Sequence, residues 1–159
     1  MPTQDTFNAA KTVAAMYAGF SKDATETLGF EKALELHRRQ GHALGVMMVE
    51  AIRQALGGRP FDTETLASVT VSADAMLGIM PAIETTPVSM KQTVHGCPFY
   101  EGFKAAGLDH ATIEQVCAAF SGGEGQAFAA TYPFLEHRVE FRATPDGACT
   151  EEFRIVKQA

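Results

Sequence analysis

The chain has 159 residues, 46% hydrophobic and 20% charged, with a formal net charge of −6 and three cysteines. A chain of that length buries roughly 70% of its unfolded surface. The acidic balance excludes the basic face of a nucleic-acid binder and the basic amphipathic helix of a membrane-surface protein. No apolar run approaches the ~18 residues that a bilayer span needs. Lys11 interrupts the Ala-rich start, so no signal peptide is expected. A cytoplasmic location with reduced thiols follows as the expectation.

In chain order, Val13, Met16, Tyr17 and Phe20 share a face, predicting a helix from about Thr6 that fades near Gly19. A longer helix is predicted from Glu31 to Leu56, with His37, Gly41, Leu44, Met48, Ile52 and Ala55 on one stripe. Gly57, Gly58 and Pro60 stop it. Gly41 and Gly45 each cost about 1 kcal/mol inside a helix, which implies close approach by another backbone. A third helix is expected after Asp62 or Thr63, with its stripe running from Leu66 through Val69, Ala73, Met76 and Leu77 to Met80.

The period then changes to two. Val88, Met90, Gln92 and Val94 alternate with polar residues, predicting a strand within 84–95. Short helices are expected over 98–130, one from Pro98, one after Asp109 that buries Ile113, Val116, Cys117 and Phe120, and one from Ser121 to Phe128. Alternation over 134–156 predicts a β-hairpin around Pro145–Asp146–Gly147. Pairing odd positions with odd ones places Ala143 opposite Cys149, Phe141 opposite Glu151 and Val139 opposite Phe153. Glu136, Arg138, Glu140 and Arg142 fall on a solvated outer row. The expected fold is α+β, a single domain over residues 1–159 with its helical half, 1–81, packed on a small antiparallel sheet.

Four positions carry candidate chemistry. Cys97 precedes Pro98, which makes it the N-cap of a helix. That setting lowers a thiol's pKa, with His95 as a neighbouring base or counter-ion; the alternative is a small thiol packed at a helix start. Glu151 falls on the apolar face between Cys149 and Phe153, so its carboxylate must be paired, protonated or in a wet cavity. His137 and His37 point inward and read as hydrogen-bonded core histidines or as functional ones. The chain has no CxxC, HExxH or HxxxH, and no metal or cofactor is expected.

The segments "CPFYEGFKAAGL", "IEQVCAAF", "VEFRATPDG" and "EEFRI", with "GFEKALELHRRQGHALG" upstream, resemble the L-2-amino-thiazoline-4-carboxylic acid hydrolase-like family. The hairpin also resembles vinyl-reductase-type small-molecule-binding domains. In the first resemblance Cys97 matches the Cys-Pro of that family, Cys117 its mid-domain cysteine and Glu140 a recurrent strand glutamate. The chain departs where Glu151 stands in place of the last cysteine, with Cys149 one pleat earlier. The resemblance implies opening of a small cyclic C–N/C–S substrate such as a thiazoline carboxylate. Glu151 or His95 would activate water, Cys97 would act as nucleophile or polar wall, and the following helix N-terminus would seat the substrate carboxylate. Tyr100, Cys117, Phe141, Cys149, Phe153, His137 and Met48 complete the expected ligand-binding set. The other readings are a binding module without turnover and a homodimer formed through the helical half, which holds every methionine except Met90.

Overall fold

The computed structural model describes residues 3–156; residues 1, 2 and 157–159 of the expected 1–159 unit lie outside the described residues. Among the described residues, five helices and four strands run in the order α1 (Gln4–Leu28), α2 (Phe30–Leu56), α3 (Thr63–Met76), β1 (Ala82–Thr86), β2 (Ser89–Val94), α4 (Pro98–Ala105), α5 (His110–Thr131), β3 (Leu135–Glu140) and β4 (Cys149–Ile155). The fold is α+β. The sheet is antiparallel, in the order β1-β2-β4-β3.

Local chemistry sets the helix ends. Thr3 caps α1 by accepting from Thr6 N–H, and Asp62 caps α3 by accepting from Thr65 N–H. Gly29, at φ +86°, divides α1 from α2. Gly57 in the left-handed conformation closes α2 by donating its N–H to Arg53 O. No helix among the described residues is long and apolar enough to cross a membrane.

Helix α1 runs past Gly19 to Leu28, longer than expected, because a side chain at Gly19 would meet nothing and the position simply faces outward. Its buried face also differs. Ala14, Ala18 and Ser21 are buried, whereas Val13, Met16 and Phe20 are 61%, 64% and 67% exposed. The cause is close backbone packing. A Cβ on Gly102 of α4 would lie 2.5 Å from Lys11 O, so only the small-residue face of α1 fits against α4. Met76 and Met80, expected in the α3 stripe, are likewise exposed, because α3 stops at Met76 and the chain turns through Gly78 at φ +74°.

The α2 glycines do meet another backbone. A Cβ on Gly41 would overlap Phe120 O, and one on Gly45 would lie 2.8 Å from Glu124 O. On the opposing helix a Cβ at Gly123 would overlap Arg38 O. This crossing holds α5 together through Ser121–Gly125, where a separate helix start was expected. The strand expected over 84–95 is a hairpin instead, turning at Pro87–Val88 with Thr86 Oγ1 accepting from Val88 and Ser89 N–H.

The C-terminal hairpin keeps the expected parity but shifts by two residues. Val139 pairs with Glu151 and His137 with Phe153, and β3 stops at Glu140. Beyond it, Arg142 leaves the solvated row assigned to it and is only 3% exposed. Its guanidinium lies 4.3 Å from the Tyr100 ring centroid and donates to Pro145 O and His95 O. Burying Arg142 this way needs a wider loop than the sequence pattern suggested.

The core has two parts. Ile52, Leu66, Met90, Phe128 and Phe153 anchor one cluster among α2, α3, α5 and the sheet. Ala14, Ala18, Tyr100, Phe103, Ile113 and Val116 form the other among α1, α4 and α5.

Candidate functional site

The inner face of the sheet carries polar groups in its middle rows. Gln92 of β2 lies directly opposite Glu151 of β4 and donates its Nε2–H to the Glu151 carboxylate. From β3, one diagonal step away, His137 Nε2 donates to Glu151 Oε1 at 2.6 Å. The His137 ring stacks on Phe153 with centroids 4.5 Å apart. It sits against Gly125 of α5, where a Cβ would fall 2.5 Å from Nδ1. Glu151 is therefore paired on both sides, as an inward carboxylate requires.

Above this row lies a partly enclosed cavity of about 350 Å³, between the sheet and helices α2 to α5. It bridges the two core clusters. Cys97 and Glu151 both line it. So do Cys117, Cys149, Tyr100, Phe141, Phe153 and Met48. His137 stands behind Glu151, outside the lining. His95 is also outside, and its carbonyl accepts from Arg142. His37 is remote from the cavity as a satisfied core residue. Its two ring nitrogens each lie 2.8 Å from a hydroxyl, Tyr17 OH and Ser21 Oγ, and burial lowers its pKa.

Two further carboxyl groups face the cavity, Asp74 from α3 and Glu124 from α5. Burial, and then the Glu151 charge, push Asp74 up to about 7. Burial pushes Glu124 well above the usual carboxylate range, reinforced by the charges of Glu151 and Asp74. Asp74 Oδ2 and Gln92 Oε1 are buried without a hydrogen-bond partner. Sequence reading missed both acids, although signals existed. Leu66, Thr70 and Asp74 follow one another at four-residue steps on α3. Cys117, Phe120, Glu124 and Phe128 follow a three-four-four rhythm on α5.

Cys97 takes the N-cap position of α4 without a side-chain capping hydrogen bond. Burial pushes its pKa up and outweighs the helix N–H groups of Tyr100 and Phe99. Burial raises Cys117 too, with a further push from Cys97 and Cys149. Cys149 Sγ accepts from Arg142 Nε at 3.4 Å. Among the described residues no three His, Cys, Asp or Glu side chains converge closely enough to hold a metal ion. A larger but shallower hollow of about 450 Å³, beside Arg53, Arg59 and Tyr132, contains none of the candidate residues.

An α+β shell of helices over a four-stranded antiparallel sheet, with a partly enclosed cavity between them, is an architecture suited to holding a small molecule. The chain is similar in fold to the phenol-responsive sensory domain of the transcription activator PoxR, whose crystal structure was solved with phenol. The match has a TM-score of 0.61 and 15% sequence identity, covering 89% of this chain and 74% of that chain. No family model and no curated protein matches the chain, so the hydrolase-family resemblance gains no support from either comparison.

Proposed function

We propose that this chain binds a small, largely apolar molecule in the cavity between helices α2 to α5 and the sheet, without turning it over. The observation that carries this reading is the cavity itself, about 350 Å³ and walled mainly by apolar side chains. The fold likeness to a sensory domain crystallised with phenol supports it. A hydrolase reading has less support. The Cys97 thiol is raised by burial, His95 lies outside the cavity, and Glu151 is held by Gln92 and His137. Three carboxyl groups on the wall also argue against the carboxylate ligand expected from the sequence.

The test is a thermal-shift screen of small aromatic and alicyclic compounds, phenol included, followed by calorimetry on the hits. A ligand at a hundred times its Kd adds about 2.7 kcal/mol, which is a shift of several degrees for a chain of this size. The expected result is one-to-one binding by at least one compound class. A flat response to the whole screen overturns the proposal. A homodimer through the helical half is a second reading, favoured by the exposed row Val13, Met16 and Phe20 on α1. Sedimentation equilibrium with wild type and Phe20→Ser tests it, and a wild-type monomer at tens of micromolar dismisses it.

A further inference from the structure

Resting on the binding reading above, we infer that the cavity selects a ligand carrying a cationic nitrogen, a protonated amine or amidine, on an apolar body. Three independent elements bring carboxyl groups to one hollow: Asp74 from α3, Glu124 from α5 and Glu151 from β4. Gln92, 7% exposed, lines the same hollow, and its Oε1 has no partner. Because its Nε2 is committed to Glu151, that oxygen can only accept. Asp74 Oδ2 is in the same condition. Two buried, unsatisfied acceptors beside a carboxyl cluster call for a donor that the protein does not supply.

An ammonium group offers three N–H donors and a positive charge together. A neutral hydroxyl offers one donor and leaves the second acceptor unpaired. A carboxylate adds repulsion. The acids do not converge as metal ligands do, and their spread suits an organic cation better than a bare ion. The mutual repulsion that adds to burial in pushing Asp74 and Glu124 upward is what a bound cation offsets. Phe120, Phe128 and Phe153 supply apolar wall and ring faces for the rest of such a ligand.

The test uses one phenylethyl body with four head groups: 2-phenylethylamine, 2-phenylethanol, ethylbenzene and 3-phenylpropionate. Affinities of the full-length chain are measured by calorimetry at pH 8. The amine is expected to bind at least tenfold more tightly than the alcohol, and the propionate least of all. Glu124→Gln and Asp74→Asn are each expected to weaken amine binding about tenfold while leaving the alcohol within twofold, with circular dichroism confirming the fold. Alcohol or ethylbenzene binding as tightly as the amine overturns the cation preference and leaves the binding reading intact. Binding by none of the four overturns this inference, while the wider screen still decides whether the cavity takes a ligand at all.

Discussion

At the scale of single residues, the cavity wall is costly to fold. Asp74 ionises near 4 in an unfolded chain but at about 7 in the folded one. Between those values the unfolded state has released its proton and the folded state has not, so stability falls as pH rises through the window and stays low above it. Glu124 acts in the same direction. His37 acts oppositely: its lowered pKa makes the folded state reluctant to bind a proton, so stability falls as pH drops below about 6.5. Asp74→Asn is therefore expected to stabilise the ligand-free protein by about 2 kcal/mol at pH 8, allowing for solvent screening of a partly exposed group. The gain should shrink toward zero near pH 4. Urea midpoints at the two pH values check this, and an equal gain at both would show that Asp74 titrates normally. Glu151 was legible in advance as an inward acid needing a partner, because strand alternation fixes its side. Asp74 was not, since the stripe read from Leu66 turned through Val69 and Ala73 toward Met76 and Met80, away from the row that runs from Leu66 through the buried Thr70 to Asp74.

At the scale of elements, close backbone contact accounts for both the successful and the failed readings. Gly41 and Gly45 signalled a tight helix crossing, and α2 meets α5 there. The same preference for small residues misled the reading of α1, where Ala14 and Ala18 pack and the large apolar residues face out. Hairpin parity was legible because one face must be buried. The shift by two was not, because it depends on Arg142 folding onto Tyr100, a contact between distant segments. Two neighbouring glycines in α5 give a sharp test. Gly122 faces open space, so Gly122→Ala is expected to stabilise the protein by about 0.5–1 kcal/mol through helix propensity. At Gly123 an added Cβ overlaps Arg38 O, so Gly123→Ala is expected to cost about 3 kcal/mol. Denaturant titration of the pair should give opposite signs. Equal effects would mean that α2 and α5 are not in backbone contact.

At the scale of the molecule, the two core clusters touch across a hollow rather than merging. Cys97 at a helix start and Glu151 on the inner strand face were legible in sequence, since helix capping and strand alternation are local rules, and both line the hollow. The space between them depends on how five helices stack over the sheet, which no local pattern encodes. Such a hollow is a standing cost: wall atoms lack packing partners, and buried polar atoms lack hydrogen bonds. Ligand occupancy and a larger side chain should therefore compete for the same free energy. Ala73 lines the cavity from the last turn of α3 and is only partly buried, so a bulkier residue there can enter the hollow without displacing the core. Ala73→Phe is expected to raise the melting temperature of the ligand-free protein by a few degrees and to abolish the shift caused by any compound found in the thermal screen. The control is Glu114→Gln on the exposed face of α5, which should leave both quantities unchanged. If Ala73→Phe kept a full ligand shift, the compound would be binding elsewhere, and the cavity would be a packing defect rather than a receptor site.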